Sequence, residues 1–197
     1  MMIFWRRALV MFSIPKTGSH SYIEHLQDQA DVVFRHPQQL KHMGLTKFTS
    51  KIRPLFQQVG KPLDHFAYFR EPVDWVWSWY RYRTRPEIRD RDASTHGISF
   101  DQFVDAVVAD APPPFALIGR QSHLVTSNAA PFVIDHIFRY DNATQANEYL
   151  SDKLGKKVCP PQRLNVSPEM PKEISRKTIA KLENALTREF EIYESAR

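Results

Sequence analysis

The stretch Ala8-Leu-Val-Met-Phe-Ser-Ile-Pro-Lys-Thr-Gly-Ser-His-Ser-Tyr22 decides how this chain is read. Seven residues, Ala8 to Ile14, form an apolar run of strand length. Pro15-Lys-Thr-Gly18 breaks the run, and Ser21–Gln29 follows with helical spacing. A strand, a tight glycine turn and a helix start together make an anion site. The first N–H groups of a helix lack intrahelical acceptors, and the aligned peptide dipoles add positive potential there. Gly18 allows close backbone approach. Thr17, Ser19 and Ser21 add hydroxyls, His20 lies among them, and Lys16 supplies a full charge.

Further strands are expected at Val32–Phe34, His65–Phe69 and Ile134–Tyr140, with helical patterns between them. That alternation predicts an α/β chain with a mostly parallel sheet and crossover helices. The helices are expected at Leu45–Val59 with a break or kink at Pro54, at Pro72–Tyr82, and at Ser99–Asp110 behind a Ser99-x-x-Gln102 capping box. Two more are expected at Ala143–Leu154, stopped by Gly155, and at Ser175–Tyr193, with Ile179, Leu182, Leu186 and Phe190 on one face. Thr84–Gly97, Ala111–Pro114 and Pro160–Pro171 read as loops. No repeat and no boundary interrupts 1–197, which is expected to be one domain.

Composition narrows the function classes. The 197 residues are 42% hydrophobic, enough for a core, and carry 27 Lys plus Arg against 22 Asp plus Glu. The net charge of +5 suits an anionic partner but is too mild and dispersed to call for nucleic acid. One cysteine, Cys159, leaves no internal disulfide framework and no metal cluster, which favours a reducing cytoplasm. Met1–Arg7 does not read as a signal peptide, because the apolar run behind it is short and ends in Pro15-Lys16. No stretch approaches the roughly 20 apolar residues of a membrane span. The sequon at Asn142-Ala-Thr144 therefore reads as chance in a soluble, cytoplasmic protein.

The nucleoside-triphosphate loop G-x-x-x-x-G-K-[ST] does not fit the joint, since Lys16 precedes its only glycine. A strand ending in a magnesium-binding Asp is also missing, because the candidate strand runs into Arg70-Glu71-Pro72. Helix capping by Ser19 or His20, with Lys16 in solvent, remains the plain alternative for the joint alone.

The stretch Phe69-Arg-Glu-Pro-Val-Asp-Trp-Val-Trp-Ser-Trp-Tyr80 adds a second cationic strand end. Pro72 suits the first helical turn, and Ser78 lies about 9 Å further along that helix. Arg70 and Ser78 can therefore share one anion. A nucleotide phosphorylated on both sides of its ribose needs two such sites. A local pair with Glu71 is the alternative role for Arg70, although an exposed pair contributes little and leaves Ser78 unexplained.

Pro15–Ser21 resembles the 5′-phosphosulfate loop of the 3′-phosphoadenylyl sulfate (PAPS)-dependent sulfotransferases. Arg70 and Ser78, eight residues apart, are similar to their 3′-phosphate motif. Asp135–Tyr140 and Arg163–Pro168 are similar to later segments of small bacterial-type members, and His20 stands where Thr or Ser is usual. The resemblance implies a three-layer P-loop NTPase-like fold, PAPS as donor, adenosine 3′,5′-bisphosphate as product and no metal. It implies that Lys16, Thr17, Gly18, Ser19, His20 and Ser21 hold the 5′ end, and that Arg70 and Ser78 hold the 3′-phosphate. Lys16 is expected to offset charge developing on the bridging oxygen.

A general base must take the acceptor's proton. Lys41-His42 resembles the Lys/His pair of many family members, so His42 is preferred, with His36 next and His65 and His123 weaker. Ordinary loop histidines remain the alternative. The belt Trp75, Trp77, Trp79, Tyr80 and Tyr82 reads first as core, with Trp77 and Tyr82 as candidates for an aromatic acceptor pocket. Arg163 and Asn165 are candidate nucleotide contacts. The acceptor class stays open between a small molecule and a carbohydrate. Two other readings stand beside the sulfotransferase: a catalytically silent nucleotide or polyanion binder, and a small-molecule kinase on a degenerate loop.

Overall fold

In the computed structural model, residues 1–59, 62–129, 132–159, 162, 164 and 167–197 are described. Along the chain these form β1 (Met2–Phe4), β2 (Leu9–Phe12), α1 (Ser19–Leu26), β3 (Val32–Val33), α2 (Gln38–Lys41), α3 (Leu45–Lys47), β4 (Asp64–Phe69) and α4 (Pro72–Arg83). Then come α5 (Phe100–Val107), α6 (Ser122–Val125), β5 (His136–Arg139), α7 (Ala143–Leu154), α8 (Arg176–Ala185) and α9 (Thr187–Ser195). The chain is α/β and divides into two compact units. The first is Met1–Arg70, Gln121–Leu164 and Ser195–Arg197, and the second is Glu71–Arg120 and Asn165–Glu194.

The first unit contains one five-stranded sheet in the order β3-β1-β2-β4-β5. β2, β4 and β5 run parallel, while β1 pairs antiparallel with both β2 and β3. The sheet is thus mixed, and its parallel part is the half that carries the joint. The antiparallel strand was missing from the sequence expectation. It turns into β2 through a short 3-10 segment and Ala8 in the left-handed region (φ 51°), where Gly or Asn would have been the usual signal.

Both faces of the parallel strands are covered, which explains the unbroken apolar run of β2. Leu9 and Met11 join Phe66, Tyr68 and Phe138 in a core closed by Tyr22, Ile23 and Leu26 of α1 and Ala146, Leu150 and Leu154 of α7. On the other face Phe12 meets the edge of Phe48 at 5.3 Å. The expected 45–59 helix is instead α3, a π-helical turn at Phe48–Ile52 and a 3-10 segment at Arg53–Val59. Pro54 has no N–H to continue an α-ladder, so tighter geometry takes over there.

In the second unit α4 starts on Pro72. The Glu71 carboxylate caps it by accepting from Val73 N (3.0 Å) and Asp74 N (2.6 Å). The capping box at Ser99 and Gln102 is present at the head of α5. Trp75, Val76, Trp77 and Tyr80 pack with Phe100, Phe103, Leu182 and Leu186. The expected C-terminal helix is two helices, because Leu186 leaves helical geometry (φ −116°, ψ 27°) while its side chain stays in that core.

Candidate functional site

The joint is closed by its own residues. Thr17 is buried, and its hydroxyl donates to the Ile14 carbonyl at 2.9 Å. That bond turns the chain out of β2, and the Thr17 hydroxyl proton is thereby committed within the loop. Gly18 sits in the left-handed region (φ 66°), and its carbonyl accepts from Ser21 N at 3.0 Å to open α1. Lys16 is also left-handed (φ 68°), a conformation that disfavours any residue with a Cβ by roughly 1–2 kcal/mol. Holding a lysine in that conformation is strain located at the cation the sequence singled out. Ser19 and His20 occupy the first helical positions, where main-chain N–H groups lack intrahelical acceptors. Ser21 is buried, and its Oγ accepts from Leu164 N at 2.9 Å.

Parallel pairing of β2 with β4 brings Arg70 to the same sheet edge, since Phe12 is in register with Ala67. The Arg70 guanidinium donates through Nη1 to the Lys16 carbonyl at 2.9 Å and lies 5.1 Å from the centre of the Tyr140 ring. Tyr140 also fills the space beside Gly18. A Cβ on Gly18 would stand 3.0 Å from Tyr140 Cε2. The second strand end is therefore tied to the first loop, and Tyr140 packs against both.

His42 reaches the same edge. Its Nδ1 is 2.6 Å from the carbonyl oxygen of Ser13, the residue that follows β2. A carbonyl only accepts, so Nδ1 carries the proton and the neutral ring keeps its lone pair on Nε2. Burial pushes the His42 pKa down to about 4; the Ser13 bond opposes this, and the Lys41 cation adds to it. Lys41 is itself shifted down by burial and by Arg35, with Glu24 opposing.

The other histidines lie elsewhere. His65 is the second residue of β4, at the strand end opposite Arg70, with its ring against those of Phe12 and Phe48. Its Nδ1 is 2.8 Å from Asp135 Oδ2, and its main-chain N–H donates to the same oxygen at 2.9 Å. His36 precedes α2 and is exposed, and His123 is exposed on α6.

Ser78 is buried on α4 in the second unit. In that unit Trp77 meets the edge of Phe100 at 4.8 Å and Tyr80 donates to the Ile98 carbonyl at 2.7 Å, so both belong to the core. Tyr82 lies beneath the Arg85 guanidinium, 4.8 Å from ring centre to cation. Arg163 and Asn165 lie outside the described residues. Among the described residues no group of three His, Cys, Asp or Glu side chains is placed to hold a metal, and no helix is long and apolar enough to cross a membrane.

Two contributors to this edge were not singled out as site residues from sequence. Tyr140 was visible only within the quoted segment Asp135–Tyr140. Gln121, fully buried, bonds to the main chain of Arg70 from 51 positions away and has no local pattern to betray it. Comparison with known proteins finds no match to this chain: no family profile, no curated protein and no solved structure.

Proposed function

We propose that this chain is a metal-independent sulfotransferase with a P-loop NTPase-like arrangement, using PAPS as donor and a hydroxyl or amine as acceptor. The observation that carries the reading is the meeting of Lys16, Arg70 and a neutral, Nδ1-protonated His42 at one edge of the parallel strands. The donor fits the residues present: a left-handed glycine, helix-start amides and a cationic edge match a nucleotide with two anionic groups. The donor, when bound, supplies the sulfuryl group and leaves as adenosine 3′,5′-bisphosphate.

The remaining chemistry falls to this chain. Main-chain N–H groups from Thr17 to His20 would hold the 5′ end, with Ser19 and His20 adding side-chain donors. The Lys16 ammonium would offset charge on the departing phosphate oxygen. Arg70 would hold the 3′-phosphate, and Ser78 enters on the resemblance of its spacing. As the acceptor oxygen or nitrogen bonds to sulfur and the sulfur–phosphate oxygen bond breaks, the acceptor's proton passes to His42 Nε2. The bound anion raises the basicity of that nitrogen by Coulomb attraction.

Calorimetric titration decides between classes. Adenosine 3′,5′-bisphosphate binding without metal, lost in Arg70→Ala, supports this reading. Magnesium-dependent ATP binding with no bisphosphate binding overturns it in favour of a kinase. Bisphosphate binding with no turnover across phenol, alcohol, amine and carbohydrate acceptors points instead to a silent binder.

A further inference from the structure

We propose that Gln121 is a positioning residue that sets Arg70 for its anion, an inference that rests on Arg70 being the 3′-phosphate ligand. β4 is hydrogen-bonded to β2 as far as Ala67 and to β5 as far as Phe69, whose carbonyl accepts from Tyr140 N at 2.9 Å. Arg70 is the next residue, past the end of both ladders. There the Gln121 carboxamide takes the place of a neighbouring strand. Its Oε1 accepts from Arg70 N at 3.1 Å, and its Nε2 donates to Arg70 O at 2.9 Å.

Gln121 is completely buried, so its carboxamide has no water to fall back on. A buried polar side chain paired in both directions with one residue's main chain fixes that residue's φ and ψ. Here those angles aim the guanidinium at the Lys16 carbonyl and over Tyr140. The clamp is anchored in turn. Gln121 leads directly into α6, and α6 is pressed against Gly44, where a Cβ would stand 3.0 Å from Leu124 Cα and 3.2 Å from His123 O. Gly44 is two residues beyond His42. One short segment, 121–124, thus holds the Arg70 main chain at one end and packs on Gly44 at the other.

The test uses full-length Gln121→Ala and Gln121→Glu, the second being isosteric, so that one variant serves if the other does not fold. Each is titrated with adenosine 3′,5′-bisphosphate and with adenosine 5′-phosphate, which lacks the group Arg70 would hold. The clamp predicts that bisphosphate affinity falls about tenfold or more, the size expected for a misplaced charge-assisted bond. Affinity for the monophosphate stays within about twofold. Adding Arg70→Ala to Gln121→Ala then causes little further loss, because the two act as one unit. An unchanged ratio between the two nucleotides overturns the clamp.

A ligand-free measurement separates this inference from the reading beneath it. Amide exchange at Arg70 and the Nε signal of its guanidinium are followed by nuclear magnetic resonance in wild type and variants. If wild type shows no preference for the bisphosphate, the donor reading fails while this arm still judges the clamp. Faster Arg70 exchange together with a shifted guanidinium signal supports it, and an unmoved guanidinium signal overturns it.

Discussion

The Nδ1 atom of His42 lies 2.6 Å from the carbonyl oxygen of Ser13, and this one bond decides what the histidine can do. It fixes the tautomer, aims Nε2 away from the strand and ties the base to the chain that becomes the anion loop two residues later. Strand end, loop and base are consequently one piece of backbone plus one side chain. A shift of the loop moves the base with it.

Replacing His42 with Gln is expected to lower turnover by about 10²–10⁴-fold, the usual contribution of a general base, while bisphosphate affinity stays near wild type. A comparable loss of binding would make His42 a donor-site residue instead. Acceptor assays paired with titrations measure both.

The pH dependence of stability carries the same assignment. The His42 pKa is near 4 in the folded chain against an ordinary 6.5, so between those values the unfolded chain binds the extra proton. The contribution of His42 is therefore complete above about pH 6.5 and shrinks as pH falls toward 4. Wild-type stability should rise with pH across that window, and His42→Gln should flatten the rise. Urea melts at half-unit pH steps read the difference.

Lys16 in the left-handed region predicts opposition between stability and activity. Lys16→Gly removes the Cβ conflict and should stabilise the fold by about 1 kcal/mol, raising Tm by about 2–4 °C for a chain of this size. Turnover should be lost, because the cation at the leaving oxygen is gone. A glycine variant that keeps full turnover would exclude Lys16 from the chemistry. Thermal melts and acceptor assays on one preparation give both numbers.

The parts of this site readable in the sequence are those whose cause is local. Gly18 and the helix start behind it follow from the turn, Pro72 marks the head of α4, and Ser99 with Gln102 announce α5. Gly155 caps α7 in the left-handed region as its position indicates. The misses have non-local causes. β1 is three residues long and is identified by its two neighbours, not by its own pattern. The break at Leu186 leaves the apolar spacing intact, so periodicity reads straight through it. The Glu71 carboxylate caps α4, a role that its place beside Arg70 does not announce.

Capping by Glu71 gives a prediction confined to the second unit. Glu71→Ala removes two acceptors from the first turn of α4 and should destabilise the protein by about 1 kcal/mol. Glu71→Asp, one methylene shorter, should recover part of that. Neither change should alter the Arg70-dependent step in bisphosphate affinity, whereas an Arg70–Glu71 pair would release a stronger anion site on Glu71→Ala. Denaturant midpoints and bisphosphate titrations on the two variants separate these outcomes.

Gly18 meets two independent constraints, and a pair of substitutions can separate them. Gly18→Ala must hold φ near 66° with a Cβ, and that Cβ stands 3.0 Å from Tyr140 Cε2 and 3.4 Å from its hydroxyl oxygen. The backbone part alone is expected to cost about 1 kcal/mol, and the contact adds to it unless Tyr140 moves. Tyr140 lies under the Arg70 guanidinium, so displacing it should weaken bisphosphate binding as well as stability. In Gly18→Ala with Tyr140→Ala, the steric part should vanish and leave only the backbone part. The double variant should therefore be less destabilised than the sum of the singles, and additive denaturant midpoints would mean that the Tyr140 ring does not press on the loop.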